Sequence, residues 1–148
     1  MDVQDLYKEI IVDHNRSPRN FRRIDEPTHQ AEGFNPLCGD KLKLYLTVDS
    51  DVIKDIAFEG SGCAISVASA SMLTEALLGK NIDDAGRLFE RMRALFTEQG
   101  DQENLDELGK LAALGGVRQY PSRIKCANLS WHALHAALDQ GVDSATTE

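Results

Sequence analysis

The sequence predicts an α+β domain in which a small antiparallel β-sheet has helices packed on one face. Apolar and polar residues alternate over residues 42–48, and a second β-like run covers residues 52–59. Only Asp49, Ser50 and Asp51 separate the two runs, which predicts a β-hairpin. Helical apolar stripes lie before and after this hairpin, so the strands come early and most of the helices come late.

The remaining elements follow from the same periodicity. The chain opens with an amphipathic helix that should end before Pro18, because the residue before a proline avoids the helical conformation. Residues 21–34 follow no clear period, and they leave room for a third strand beside the hairpin. Further apolar stripes predict helices after Gly62, over residues 85–96 and over residues 124–138.

Residues 97–118 form an acidic and then apolar stretch, for which we predict one short helix that ends at Gly115 and Gly116.

The tail, residues 141–148, is small and polar, and we expect it to be disordered. With 148 residues, 42% of them hydrophobic, the chain can bury one core but is too short for two ordinary domains. We therefore predict a single domain over residues 1–140.

The net charge argues against nucleic acid as a partner, and the lack of a long apolar run argues against a membrane. Lys and Arg number 16 against 24 Asp and Glu, so the formal net charge of -8 repels the phosphate backbone of nucleic acids. No apolar run approaches the roughly 20 residues of a membrane span, and residues 1–5 lack the basic start of a secretory signal. We therefore expect a cytoplasmic protein that binds neither nucleic acid nor membrane.

Three cysteines, an odd number that argues against a disulfide framework, lie in separate segments. An antiparallel hairpin brings its two ends together, so Cys38 and Asp40, just before it, are expected beside Cys63, just after it. Cys63 and Cys126 each lie where a helical stripe begins, and a helix N-terminus favours thiolate over thiol. That Cys126 joins the other two is a weaker inference, because it comes from far along the chain. The three segments are Asn35-Pro36-Leu37-Cys38-Gly39-Asp40, Gly60-Ser61-Gly62-Cys63-Ala64 and Arg123-Ile124-Lys125-Cys126-Ala127.

Three thiolates and one carboxylate match a tetrahedral Zn²⁺ site, with Zn–S distances of about 2.3 Å. The chain lacks the paired CxxC motifs of closed structural zinc sites, since each cysteine stands alone on its own element. We interpret the group as reactive zinc or a platform for a metal cluster; the alternative is three buried cysteines that act as small apolar side chains. Arg123, Lys125 and Lys41 could offset the negative charge, or could be ordinary solvated charges.

The three cysteine segments, with Leu6-Tyr7, Asp13-His14 and Pro18-Arg19-Asn20, resemble the IscU-like family of iron–sulfur cluster assembly scaffolds. Within that family the chain is most similar to the SufU branch, zinc-dependent sulfurtransferases that work with a PLP-dependent cysteine desulfurase. Lys125 stands where the classical scaffolds have histidine, and residues 97–118 match an insertion of the SufU branch. Phe21 departs from the family, which commonly has glycine at this position.

The resemblance implies that zinc is bound by Cys38, Asp40, Cys63 and Cys126, and that Cys38 takes persulfide sulfur from the desulfurase. Cys38 lies on a loop with proline and glycine, so it has the greatest freedom of the three cysteines. We expect Arg123 to steady the anionic sulfur. We also predict that residues 97–118 help to select the desulfurase. The alternative is that they form a solvent-exposed stretch that binds no partner.

Other functions would use the same residues. A scaffold would hold a transient [2Fe–2S] cluster on the cysteines and pass it to downstream assembly or acceptor proteins. A thiol hydrolase needs a base beside its nucleophile, and no histidine is near a cysteine in the sequence. A purely structural zinc module is the third alternative. We expect structural roles for the four histidines, His14, His29, His132 and His135.

Overall fold

The computed structural model describes residues 3–97, 108–139 and 144–146. Helices and strands occur in an order that confirms the predicted α+β class, with the hairpin early and helices after it. In chain order they are α1 (Val3–Arg16), β1 (His29–Asn35), β2 (Asp40–Asp49), β3 (Val52–Ser61), α2 (Ala64–Leu77), α3 (Ile82–Phe96), a 3-10 segment (Gly109–Gln119), a short 3-10 turn (Pro121–Arg123), α4 (Ile124–Leu138) and β4 (Ser144–Thr146).

The sheet is built around the predicted hairpin. Within the described ranges its strand order is β3-β2-β1-β4, with β1 antiparallel to β2, β2 antiparallel to β3, and β4 parallel to β1. Ser50 and Asp51 have φ values of 51° and 63°, as a two-residue hairpin turn that matches the twist of the strands requires. A third strand, β1, is present where the sequence allowed one in residues 21–34, and it begins at His29.

Helices cover the apolar face of the sheet. α4 packs against β1 and β2, α2 packs against β3, and α1 and α3 lie on α2 and α4 respectively. Leu44, Leu46 and Phe58 of the sheet and Trp131 of α4 are buried in this core. Trp131 also links two helices, because its Nε1–H donates a hydrogen bond of 3.1 Å to Ser69 Oγ of α2.

The structure corrects the prediction for residues 97–118. Residues 98–107 lie outside the described part of the chain, and the 3-10 segment continues past Gly115 and Gly116 to Gln119. A Cβ on Gly115 would lie 2.9 Å from Leu95 Cδ1, and one on Gly116 would lie 2.8 Å from Tyr7 Cγ. These glycines therefore allow close packing against α3 and α1, and they do not end the helix.

At the C-terminal side, Ser144–Thr146 pairs with β1, whereas residues 140–143, 147 and 148 are not described. This pairing is contrary to the disorder that we expected for residues 144–146; the rest of the tail lies outside the described residues, and the domain boundary at residue 140 stays a prediction. No helix in residues 3–97 or 108–139 is long and apolar enough to cross a bilayer.

Candidate metal centre

Asp40 is the buried centre of the candidate site. It begins β2, its side chain is fully buried, and the hairpin register pairs the next residue, Lys41, with Ser61 at the end of β3. Cys63 comes two residues after Ser61, and its backbone N–H donates a 2.7 Å hydrogen bond to Asp40 Oδ1. The two ends of the hairpin therefore meet as the alternation of residues predicted.

Gly62 is required by this close approach. A Cβ at this position would lie only 2.6 Å from Asp40 Oδ1, which is shorter than any normal contact. Because glycine lacks this atom, the loop between β3 and α2 passes directly over the carboxylate. The glycine beside Cys63 thus serves the placement of Asp40.

The three cysteines occupy three different elements. Cys38 is half-buried in the loop between β1 and β2, Cys63 is the N-cap of α2, and Cys126 is fully buried in the first turn of α4. Cys126 Sγ lies 3.2 Å from Cys38 Sγ, and the ligand atoms of Cys38, Asp40 and Cys126 all lie within 4.8 Å of one another. Cys63 lies at the edge of this group, with its Sγ 3.9 Å from Asp40 Oδ2.

Two buried polar residues that the sequence analysis missed hold this group together. Asn35 Nδ2 lies 3.4 Å from Asp40 Oδ2 and 3.5 Å from Cys126 Sγ, while Asn35 Oδ1 accepts a hydrogen bond from the Leu37 N–H. Ser66 Oγ lies 2.7 Å from Asp40 Oδ2 and 3.2 Å from the Cys126 carbonyl oxygen. A signal for Ser66 was present, since residues three apart on a helix share a face and Ser66 follows Cys63 by three.

Arg123 is a cation that contacts this group. Its Nη1 donates to Cys38 Sγ at 3.5 Å. A hydrogen bond to Cys126 and attraction by Cys38 and Cys63 raise the pKa of Arg123 above its ordinary value. The guanidinium is exposed, so it remains available to a second anion that approaches Cys38.

The pKa of the Cys126 thiol is strongly raised, first by burial and then by hydrogen bonds to Cys38, Asp40 and Cys63. Positive charge close to such a crowded group favours its deprotonation. A divalent cation would supply it, and thiolate sulfur with carboxylate oxygen is a donor set that Zn²⁺ accepts. Two sulfur ligands of a tetrahedral Zn²⁺ lie about 3.8 Å apart, given Zn–S distances of about 2.3 Å. The observed separation of 3.2 Å between Cys38 Sγ and Cys126 Sγ is shorter than that value.

The other predicted cations are not all at the site. Lys125 lines an open cleft of about 620 Å³ together with Leu37, Cys38, Pro121, Ser122 and Arg123. Lys41 lines a different cleft, with Glu32 and Glu59. Cys38 is therefore reached from solvent through the cleft that Arg123 and Lys125 border.

The histidines have partners elsewhere in the fold. His14 Nδ1 is 2.7 Å from Ser71 Oγ, and His132 Nε2 is 2.9 Å from Asn128 Nδ2. His29 Nδ1 contacts Thr28 Oγ1, and His135 stacks on Phe89 with ring centroids 4.7 Å apart. These contacts agree with the structural roles that we expected for the histidines.

Comparison with known proteins gives consistent matches over nearly the whole chain. Residues 6–140 match the model of the family described as NifU-like N terminal domain. The chain is 40% identical over 133 residues to a zinc-dependent sulfurtransferase SufU of Bacillus subtilis, covering 90% of this chain and 89% of that protein. It is also 40% identical over 143 residues to an iron-sulfur cluster assembly scaffold protein IscU of Streptococcus pyogenes, covering 94% and 86%.

A solved structure agrees with these matches. The crystal structure of a protein assigned to iron-sulfur cluster assembly in the SUF system of Fervidobacterium islandicum superposes with a TM-score of 0.84 at 34% identity, covering 90% of this chain and 97% of that one. The resemblance drawn from the cysteine motifs is thereby confirmed. The chain belongs to the NifU-like N-terminal domain family, whose IscU-like members include the SufU proteins.

Proposed function

We propose that this protein accepts sulfur on Cys38 from the persulfide of a PLP-dependent cysteine desulfurase and delivers it to iron–sulfur cluster assembly. The observation that carries this proposal is the position of Cys38 between two environments. Its Sγ is 3.2 Å from the buried Cys126 Sγ on one side and 3.5 Å from the exposed Arg123 Nη1 on the other. Such a sulfur can be held by the buried group and can still be reached from the open cleft.

Zinc is the metal that we propose for the site, held by Cys38, Asp40, Cys63 and Cys126. When bound, it would favour the thiolate form of its cysteine ligands at neutral pH. The name of the Bacillus subtilis relative, a zinc-dependent sulfurtransferase, supports this choice. Asn35 and Ser66 contact Asp40 Oδ2 and would help to orient this carboxylate for the ion.

The transfer itself is a thiol–persulfide exchange. The Cys38 thiolate attacks the outer sulfur of the desulfurase persulfide, forming a new bond from Cys38 Sγ to that sulfur. The sulfur–sulfur bond of the donor breaks, and the desulfurase cysteine leaves as a thiolate. The exchange needs no external oxidant or reductant, and Arg123 lies where it attracts the anionic sulfur to Cys38.

A scaffold for a [2Fe–2S] cluster is the second candidate, because the Streptococcus pyogenes relative carries that name. The same thiols would then hold the cluster as cargo before it passes to downstream assembly or acceptor proteins. Iron and sulfide content with visible absorbance after anaerobic purification would favour the scaffold over a zinc protein. For both candidates we propose a cytoplasmic location.

Mass spectrometry tests the transfer. The zinc-loaded protein is incubated with a cysteine desulfurase and cysteine, and its peptides are mapped without reduction. We expect one additional sulfur atom on Cys38, and less of it in Arg123→Ala. Arg118→Ala, which removes an arginine from the preceding 3-10 segment, is the control. Sulfur found on Cys63 or Cys126 in place of Cys38 would overturn the assignment.

A further inference from the structure

Ser66 lies in the first turn of α2 and is fully buried between the sheet and α4. Its Oγ is 2.7 Å from Asp40 Oδ2, 3.2 Å from the carbonyl oxygen of Cys126 and 3.6 Å from Cys63 Sγ. One hydroxyl thus contacts a carboxylate and two cysteine residues that come from three different parts of the chain.

The direction of the shortest hydrogen bond follows from the groups involved. A serine hydroxyl has one hydrogen to donate, whereas a carboxylate and a backbone carbonyl oxygen only accept. Asp40 has the shorter contact and carries charge, and charge-assisted hydrogen bonds are the stronger ones. The Ser66 hydrogen therefore belongs mainly to Asp40 Oδ2.

Both oxygens of Asp40 are then held by the beginning of α2. Oδ1 accepts the backbone N–H of Cys63 at 2.7 Å, and Oδ2 accepts the Ser66 hydroxyl at the same distance. Asn35 Nδ2 is farther from Oδ2, at 3.4 Å, so its contribution is weaker. Without Ser66 the carboxylate would keep one short hydrogen bond and could rotate about it.

We propose that Ser66 is a positioning residue, which orients the Asp40 carboxylate towards the thiols and thereby sets the affinity of the site for its metal. This inference rests on the proposed function, in which Asp40 is a zinc ligand. Hydrogen-bond partners of metal ligands typically change metal affinity by about 10- to 100-fold when they are removed.

A purely structural role is the alternative, and Ser69 provides the matched control for it. Ser69 lies on the same helix, is equally buried and also connects α2 with α4. Its Oγ donates to the Ala127 carbonyl oxygen at 2.6 Å and accepts the Trp131 Nε1–H. Ser69 therefore connects α2 with α4, as Ser66 does, without the contact to Asp40.

The test titrates the metal-free full-length protein, Ser66→Ala and Ser69→Ala with Zn²⁺ and with Co²⁺, whose absorption spectrum reports its ligands. We expect Ser66→Ala to bind both ions about 10- to 100-fold more weakly and to alter the cobalt spectrum. Ser69→Ala should keep the affinity and the spectrum of the unmodified protein while its metal-free form unfolds more easily. Ser66→Thr keeps the hydroxyl and should retain most of the affinity for metal. This variant replaces Ser66→Ala in the comparison if Ser66→Ala does not fold.

Equal metal affinity and equal cobalt spectra in Ser66→Ala and Ser69→Ala would overturn the positioning role, as would a threonine variant as weak as a variant without the hydroxyl. Failure of the proposed zinc site looks different, because the unmodified protein itself would then bind neither ion. Failure of sulfur acceptance would instead leave Cys38 without additional sulfur, and failure of the Ser66 inference alone leaves the zinc binding of the unmodified protein intact.

Discussion

Cys38 Sγ and Cys126 Sγ lie 3.2 Å apart although 88 positions separate the two residues in the sequence. A disulfide requires about 2.05 Å between its sulfur atoms, so a small movement would join them. Cys63 Sγ is held instead near Ser66 Oγ and Asp40. Cys63 also contacts Cys126, but its contacts with Asp40 and Ser66 distinguish it from Cys38 in the absence of metal.

Mild oxidation of the metal-free protein should therefore join Cys38 to Cys126 and leave Cys63 as a free thiol. Peptide mapping after treatment with diamide checks the pairing. Zinc-loaded protein is the control, because ligation should protect the thiols from the oxidant. A product in which Cys63 is paired would contradict the arrangement of the three sulfurs.

Removal of zinc should lower the melting temperature, because binding to a site assembled from three elements is coupled to folding. The comparison uses protein treated with a chelator, the same protein after zinc is restored, and elemental analysis of both. A melting curve that does not change when the protein is verified as metal-free would argue against the proposed ligand set.

Asp40→Cys should hold zinc more firmly and accept sulfur more slowly. A fourth thiolate would complete a closed four-sulfur site, whereas a hard carboxylate binds this borderline-soft ion less firmly. Asp40→Ala is the companion variant and should lose zinc more readily. The rate of persulfide formation on Cys38 is the measurement, and a normal rate in Asp40→Cys would show that the carboxylate does not control exchange.

His14 should make the metal-free fold less stable in acid. Burial and then the nearby Arg19 lower its pKa below the ordinary value of 6.5, against the opposing effect of Glu75 and Asp13. The folded state therefore binds this proton less readily than the unfolded chain. The contribution of His14 is complete above pH 6.5 and is lost as the pH falls through its folded pKa.

Urea denaturation at several pH values above and below 6.5 tests this prediction. His14→Gln should show a shallower loss of the free energy of unfolding in acid than the unmodified protein does. His135→Gln changes an exposed histidine and is the control. Equal pH dependence in His14→Gln and the unmodified protein would remove His14 as the cause.

Two glycine substitutions should affect different properties, one the affinity for zinc and the other the stability of the fold. Gly62→Ala places a methyl group 2.6 Å from Asp40 Oδ1, so it should displace the carboxylate and weaken zinc binding. Gly86→Ala lies in α3 with no atom within 4 Å of the new Cβ, and it should stabilise the fold by about 0.5 to 1 kcal/mol. Zinc titration and urea denaturation of both variants check these expectations. Unchanged zinc affinity in Gly62→Ala would show that the loop can move away.

Much of the site could be predicted from local sequence. Antiparallel pairing over residues 40–61 is a short-range property, so the alternation alone indicates that Asp40 meets the residues around Cys63. The apolar stripes likewise place Cys63 and Cys126 at the beginnings of helices, where the structure has them. Gly115 and Gly116 were misinterpreted because glycine both ends helices and permits close packing, and only the neighbouring side chains distinguish these roles.

The sequence by itself therefore determined the hairpin, the order of the helices and the chemical nature of the donor groups. Tertiary structure decided which of these groups touch. The approach of Cys126 to Cys38, the burial of Asn35 and Ser66 around Asp40 and the position of Arg123 depend on how α4 packs across α2 and β1. That packing is set by the burial of many apolar side chains at once, and no local pattern around the cysteines contains it.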